Sequence, residues 1–86
     1  MSAIAYDDLL SRNLALIQRV CKKTASEDSR FIEDLELDSI DLVGLVSEME
    51  EEFGVFVPEE RLRTFQTVGE ATRCVQELLG AGEQVA

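Results

Sequence analysis

Three stretches of the chain place apolar residues at the spacing of an amphipathic helix. The first, from about Tyr6 to Val20, has an apolar face made of Tyr6, Leu10, Leu14, Ile17 and Cys21, widened by Leu9, Leu16 and Val20. The second, from about Ser39 to Phe53, has the apolar face Leu42, Leu45, Val46, Met49 and Phe53. The third, from about Thr67 to Gly80, has the apolar face Val68, Ala71, Val75, Leu78 and Leu79. This period predicts three helices around one shared core.

Residues with capping chemistry stand at the expected ends of the second and third helices. Asp38 can accept a hydrogen bond from the first free N–H groups of the second helix, and Asp41 three residues later completes a capping-box pattern. Gly54 is a natural stop after that helix. Thr67 and Glu70 form a similar pair at the start of the last helix.

The connections predict the rest of the fold. The long connection Lys22 to Leu37 carries Phe31, Ile32 and Leu35, which we expect to pin it onto the bundle. Glu59 to Arg63 is predicted to form one short helical turn. We therefore predict an all-α bundle of four helices, three long and one short. The first two helices run up and down, and the last packs beside both.

The length predicts a single domain over residues 1–86. Its core is expected at about 5–80, followed by a disordered tail at 81–86. We expect a monomer.

The charge distribution indicates what kind of partner the chain binds, because the acidic residues are concentrated in one segment. The net charge is −10, and residues 31–60 hold eleven acids and no Lys or Arg. Such a surface repels nucleic acid and attracts basic patches on protein partners. Hydrophobic residues make up 45% of the chain, which excludes a disordered acidic tail.

Cys21 and Cys74 are the two cysteines of the chain, and we expect both to act as small core residues. A disulfide or a reactive thiol is the alternative. The first residues show no signal peptide, and no apolar stretch reaches membrane-spanning length. These features favour a cytoplasmic protein with reduced thiols and no insertion into a membrane.

Several kinds of chemistry are disfavoured. The chain has no histidine and no glycine-rich phosphate loop, and its carboxylates crowd on a charged segment. We therefore do not expect an enzyme or a metal site. Asp34, Glu36 and Asp38 alternate as the first ligands of a calcium loop do. However, Ser39 and Leu45 occupy the positions where that loop needs its glycine and its bidentate glutamate.

Ser39 allows two interpretations from its position alone. A serine beside an aspartate at the start of a helix can be a simple cap. The same position offers free N–H groups and the positive end of the helix dipole, so a phosphate on Ser39 would be tolerated.

Four segments resemble the acyl carrier protein family, over roughly Leu9 to Leu79. They are Asp34 to Val43, which contains the motif Asp38-Ser39-Ile40, Glu48 to Val55, Val57 to Glu60, and Phe65 to Ala71. The resemblance implies that Ser39 carries 4′-phosphopantetheine, delivered from coenzyme A by a phosphopantetheinyl transferase, with Asp38 as part of the motif. The arm holds an acyl group as a thioester and presents it to partner enzymes of fatty acid or specialised acyl or polyketide-type biosynthesis.

The family also implies two surfaces. Its second helix docks acyl-loading and acyl-processing enzymes that have basic patches, and the matching positions here are Asp38, Ile40, Asp41, Val43, Ser47, Glu50 and Glu51. Its interior can shelter an acyl chain, with Leu45, Val46, Met49, Phe53, Leu62, Val68, Ala71 and Val75 as the expected lining. An aminoacyl or peptidyl carrier and an unmodified carrier-like adaptor are the alternatives.

The chain departs from the family pattern at several positions. Gly44 stands where an acidic residue is common, and Ser47 where an apolar one is usual. Arg61 and Arg63 put positive charge at positions that are acidic in the bacterial fatty-acid carriers, and Glu36-Leu37 replaces the usual glycine before the motif. These departures favour a carrier that serves a dedicated synthase or ligase.

Overall fold

A computed structural model describes the backbone of residues 5–85 and the side chains of residues 5–80. Four helices follow one another: α1 (Tyr6–Cys21), α2 (Ser39–Phe53), α3 (Glu59–Leu62) and α4 (Val68–Val85). Within the described range there is no β-strand, and a single isolated bridge joins Arg30 to Thr67. The predicted all-α fold with three long helices and one short one is confirmed.

Helix α1 begins as predicted and ends one residue later than predicted, at Cys21. Asp7 and Asp8 in its first turn complement the positive end of the helix dipole. Lys22 ends the helix in the left-handed conformation (φ 60°), where its N–H donates to the Gln18 carbonyl (3.0 Å). This is an αL-type helix ending made by a residue other than glycine.

The buried side of α1 differs from the predicted stripe. The fully buried residues are Leu9, Asn13, Leu16 and Ile17. Leu10 and Leu14 are half-buried, and Val20 is exposed. The apolar pattern was ambiguous here because a polar residue, Asn13, occupies the centre of the true buried stripe.

Helix α2 has the predicted bounds, and both of its predicted caps are present. The Asp41 N–H donates to Asp38 Oδ1 (2.8 Å), and the Asp38 N–H donates to Asp41 Oδ2 (3.3 Å). Gly54 closes the helix with φ 68° and donates its N–H to the Glu50 carbonyl (2.9 Å). Leu45, Val46, Met49 and Phe53 are buried as predicted, and Leu42 is half-buried.

The last two helices differ from prediction at their ends. Helix α3 stops at Leu62, one residue short of the predicted Arg63. The predicted cap of α4 is confirmed, because the Glu70 N–H donates to Thr67 Oγ1 (3.1 Å) and the Thr67 N–H to Glu70 Oε1 (3.0 Å). The predicted stop at Gly80 is wrong, since α4 continues to Val85. The predicted disordered tail, 81–86, overlaps this helical backbone as far as Val85, and its side chains lie outside the described residues.

Helix α1 is the helix shared by the two main packing contacts, one with α2 and one with α4. Arg12, in the first half of α1, reaches Glu52 at the end of α2 (3.3 Å) and lies over the Phe53 ring (4.9 Å to its centre). Cys21, at the end of α1, lines a groove together with Asp41 at the start of α2. The two helices are therefore antiparallel, as predicted.

The long connection between α1 and α2 is held against the start of α4. The Phe31 N–H donates to the Gln66 carbonyl (2.9 Å), and the Val68 N–H to the Ser29 carbonyl (3.0 Å). Phe31 and Leu35 are buried in the core, as predicted. Ile32 was expected to join them, but the turn that begins at Arg30 directs it outward, and it is 52% exposed.

Candidate functional site

Ser39 is the first residue of α2 and is exposed to solvent. Its hydroxyl has no hydrogen-bond partner among the residues that the structure describes. Asp38 is the helix cap, because its carboxylate accepts the bond from the Asp41 N–H. The Ser39 side chain is therefore left free, and its role as a simple cap is excluded.

The first turn of α2 also leaves backbone donors free. The capping box and the Leu42–Asp38 backbone bond (2.9 Å) occupy the N–H groups of Asp41 and Leu42. The N–H groups of Ser39 and Ile40 have no acceptor within residues 5–80. Free N–H groups at the positive end of a helix favour a phosphate group. A phosphate attached to Ser39 Oγ therefore fits this site.

The segment just before α2, residues 35–37, is anchored to the rest of the fold and so fixes the position of Ser39. Leu37 is buried, and its N–H donates to the Phe31 carbonyl (3.0 Å). The Lys23 ammonium donates a hydrogen bond to the Leu35 carbonyl. Glu36 has a left-handed backbone (φ 59°). Glu36 adopts this conformation at a cost that a glycine at the same position would not have.

The outward side of α2 carries most of the predicted docking residues. Ile40 is 80% exposed and Val43 is 51% exposed, so both are apolar side chains in water. The remaining exposed members of the predicted docking set are Asp38, Asp41, Ser47 and Glu51. An apolar centre with a polar, acidic border is the composition of a protein-binding surface.

Glu50 differs from the other predicted docking acids. It is half-buried, and its Oε2 accepts a hydrogen bond from the Val57 N–H (2.8 Å). The carboxylate therefore ties the link after α2 back to the helix. The neighbouring Glu52 is engaged as well, since it pairs with Arg12 (3.3 Å) and Arg19 (3.7 Å).

The two arginines that depart from the family pattern have acidic partners. Arg61 Nη2 lies 2.6 Å from Glu77 Oε1, which joins α3 to α4. Arg63 lies 3.7 Å from Glu59 on the same short segment. Both pairs are solvent-exposed, so each contributes little to stability. They reduce the positive charge that these arginines would otherwise present.

The predicted acyl-pocket residues form one contiguous part of the core. Its buried members are Leu45, Val46, Met49, Phe53, Val68, Ala71 and Val75. Leu62 is half-buried and packs against them. These side chains are brought together as predicted, and their use as a lining for cargo stays a prediction.

Two features of this region were missed by sequence reasoning. Phe56, in the link after α2, is 75% exposed. Its position between half-buried Val55 and buried Val57 gave a weak signal, since alternate residues of an extended segment face opposite ways. The second feature is an open groove beside Gly44, which depends on how α1 and α2 pack and left no signal in the sequence.

The cysteines are both free thiols, and they differ in burial. Cys74 is buried, whereas Cys21 is half-buried. Burial raises the pKa of both thiols. Over residues 5–80 there is no cluster of acidic, cysteine or histidine side chains arranged to hold a metal ion. The same residues include no helix that is long and apolar enough to cross a membrane.

Comparison with known proteins adds to this geometry. The family model described as the phosphopantetheine attachment site matches residues 14–81. An acyl carrier protein of Phenylobacterium zucineum (strain HLK1) is 46% identical over 56 residues, which cover 65% of this chain and 71% of that protein. The chain belongs to the acyl carrier protein family. The family that the sequence motifs indicated is thus confirmed.

As an acyl carrier protein, the chain bears 4′-phosphopantetheine as a covalent prosthetic group and holds acyl groups on it. The group supplies a terminal thiol that forms a thioester with the cargo. The family's partners are a phosphopantetheinyl transferase and acyl-processing enzymes. The matched range, 14–81, contains all of α2 and α3 and the segment that precedes α2.

Proposed function

We propose that Ser39 is the attachment point of the phosphopantetheine arm. The observation that carries this proposal is the free, exposed Ser39 hydroxyl at the positive end of α2, where Asp38 provides the cap. Ser39 Oγ forms the new bond to phosphorus, the bond to the adenosine bisphosphate part of coenzyme A breaks, and the hydroxyl proton passes to a base of the transferase. The free N–H groups of Ser39 and Ile40 favour the phosphodiester that results.

Loading with a broad-specificity phosphopantetheinyl transferase tests this proposal. Intact mass should show the addition of one phosphopantetheine to the wild-type chain and none to Ser39→Ala. Ser11→Ala, which removes an exposed serine of α1 outside the proposed docking surface, is the control and should load normally. Added mass on Ser39→Ala would refute Ser39 as the site, and no added mass on the wild-type chain would favour the unmodified adaptor.

We further propose that the outward side of α2 docks partners and that the chain itself is not a catalyst. Ile40 and Val43 form the apolar centre of that surface, and Asp41, Ser47 and Glu51 form its border. The side chains of this surface bind and present, and partner enzymes with basic patches supply the chemistry.

Charge reversal at Glu51 tests this docking surface. Glu51 is exposed and has no ion pair within residues 5–80, so Glu51→Lys should raise the KM of the transferase and leave kcat nearly unchanged. Asp28→Lys makes the same change of charge on the connection after α1 and should leave KM unchanged. Equal effects of the two variants would indicate net charge rather than a local surface.

The pathway is the finer part of the proposal. The chain serves fatty acid or a specialised acyl or polyketide-type biosynthesis. Gly44, Ser47 and the paired Arg61 and Arg63 favour a dedicated synthase or ligase over the general fatty acid synthase. Turnover of this chain by a general ketoacyl synthase should therefore be slower than turnover of a typical fatty-acid carrier, and equal turnover would argue against a dedicated partner.

The group found on natively purified protein separates acyl from aminoacyl cargo. A cytoplasmic location is part of this proposal and is supported by the two free thiols.

A further inference from the structure

A groove of about 490 Å³ runs between the end of α1 and the part of α2 from Ile40 to Glu48. We call it the α1–α2 groove. Val20 and Cys21 line it on the α1 side, and Ile40, Gly44 and Glu48 line it on the α2 side. Ser39 does not line it, but Ile40, the next residue along the chain, does. It shares Leu45 with the buried core that was predicted to shelter an acyl chain, and its other lining residues lie outside that set.

Gly44 keeps the middle of this groove open. A Cβ built on Gly44 would meet no heavy atom within 4 Å, so the space in front of it is empty. Any longer side chain at this position would project into the groove. The glycine that departs from the family pattern therefore creates room next to the attachment point.

The chemistry of the lining is mixed. Leu37 and Leu45 give it an apolar floor, and Lys23, Asp41 and Glu48 give it a polar rim. A ligand with amide groups and an aliphatic part suits such a lining, because the apolar part covers the floor and the amides face the polar rim. A strongly anionic ligand does not suit it, because acids outnumber cations there. The neutral part of a phosphopantetheine arm has this chemistry, and its phosphate remains at Ser39.

The length of the groove matches that part of the arm. From Ser39 to Glu48, α2 rises by roughly 13 Å at ~1.5 Å per residue. The arm has about thirteen bonds from phosphorus to sulfur and so reaches roughly 15 Å, by comparison with an extended peptide of three bonds per residue. Because the arm is tethered at Ser39, one residue before the groove lining, its local concentration is on the order of millimolar, and a weak site is enough to hold it.

We propose that the α1–α2 groove binds the pantetheine part of the arm when no partner protein is bound. Gly44 makes this possible because it leaves the groove open. This inference rests on Ser39 as the attachment point. It assigns a binding function to residues of α1, which the proposed docking and cargo sites do not use. A resting position of this kind shields the arm until a partner bound to the outward side of α2 withdraws it.

Cys21 provides the test, because it lines the groove and its thiol is only half-buried. The arm is loaded from coenzyme A whose thiol is already blocked, so that Cys21 stays free, and loading is verified by intact mass. Alkylation of Cys21 is then followed by peptide mass in the apo and the loaded forms. If the arm occupies the groove half of the time at its millimolar local concentration, Cys21 should react about twofold more slowly in the loaded form. At higher occupancy it should react more slowly still. Buried Cys74 is the internal control and should react equally in both forms.

Two substitutions at one position complete the design. Gly44→Leu fills the groove and should abolish the difference between apo and loaded Cys21. Gly44→Ala adds a single carbon in open space and should preserve it. Amide NMR shifts on loading should follow the same pattern at Val20 and Glu48, which reports on the groove without alkylation.

Equal alkylation rates of Cys21 in verified loaded and apo protein would overturn the groove proposal and leave Ser39 as the attachment point. A difference that survives Gly44→Leu would overturn it as well. Failure to load would instead overturn the proposed attachment at Ser39, and the groove proposal with it.

Discussion

At the scale of single residues, we expect replacement of glycine by alanine to have opposite effects on stability at Gly44 and Gly54, because the two glycines differ in backbone conformation. Gly44 lies in the interior of helix α2, where glycine costs about 1 kcal/mol relative to alanine and where an added Cβ meets open space. Gly54 closes the same helix at φ 68°, a conformation that costs a residue with a Cβ about 1 kcal/mol or more.

Gly44→Ala is therefore expected to stabilise the fold by up to about 1 kcal/mol, and Gly54→Ala to destabilise it by a similar amount. The free energy of unfolding from urea denaturation measures both, and each variant serves as the control for the other. A change of the same sign in both variants would mean that backbone conformation does not determine these effects.

Tyr6 is the single tyrosine of the chain, so its titration can be read directly from tyrosinate absorbance. Its hydroxyl donates to Glu27 Oε2 (2.6 Å). Partial burial, followed by this hydrogen bond and the charge of Glu27, raises its pKa from 10.0 to about 12. Glu27→Gln should lower this pKa, because it removes the carboxylate charge.

The same shift predicts how stability depends on alkaline pH. The raised pKa means that the folded chain holds the Tyr6 proton more tightly than the unfolded chain does. Its contribution to stability is complete below pH 10 and is lost as pH rises toward about 12. Tyr6→Phe should remove this part of the alkaline loss of stability. An identical pH dependence in Tyr6→Phe and the wild-type chain would contradict the assignment.

At the scale of helices, α1 and α4 share a buried polar contact. Asn13 Nδ2 donates to Thr72 Oγ1 (2.9 Å), and the Thr72 hydroxyl donates to the Val68 carbonyl (2.8 Å). Asn13 Oδ1 is buried and has no hydrogen-bond partner among the described residues. The contact fixes how the two helices meet, at the cost of one unsatisfied acceptor.

Thr72→Val is expected to destabilise the fold by about 1–3 kcal/mol, because the Asn13 amide loses its buried acceptor. The double variant Asn13→Leu, Thr72→Val removes both polar groups and should recover most of that loss. Chemical denaturation of the two single variants and the double variant completes the cycle. Simple addition of the two single effects would refute the coupling.

Helix ends were predictable where local chemistry determines them, and less so elsewhere. The caps by Asp38, Gly54 and Thr67 follow from side chains and conformations within a few residues of each end. Gly80 does not stop α4, because a glycine ends a helix only when the chain turns there. The buried stripe of α1 was misjudged because Asn13 is buried through Thr72, a partner 59 residues away.

At the scale of the whole molecule, the acidity is divided between structural and exposed carboxylates. Glu50 and Glu52 are tied to the link after α2 and to α1, respectively. Glu48 and Glu51 are exposed and have no ion pair in the part of the chain described. The sequence predicted an acidic face, but which acids remain free depends on contacts between distant segments.

The candidate site was likewise predictable where it depends on local sequence, and not where it depends on packing. The motif around Ser39 indicated the attachment point that we propose, and the local capping pattern already allowed Asp38 to act as the cap. The α1–α2 groove was not predictable, because it arises from the approach of Cys21 to the stripe that contains Gly44. The local features of a site follow from residues adjacent in the sequence, whereas its shape depends on how the helices pack.

The central claim, that Ser39 carries the arm, has a direct test in the composition of α2. No Lys or Arg lies between Arg30 and Arg61, so trypsin releases residues 31–61 as one peptide that holds both Ser39 and Ser47. Fragmentation of this peptide from loaded protein measures which serine bears the added mass. We expect all of it on Ser39 and none on Ser47. Added mass on Ser47, or on any peptide other than this one, would contradict the account.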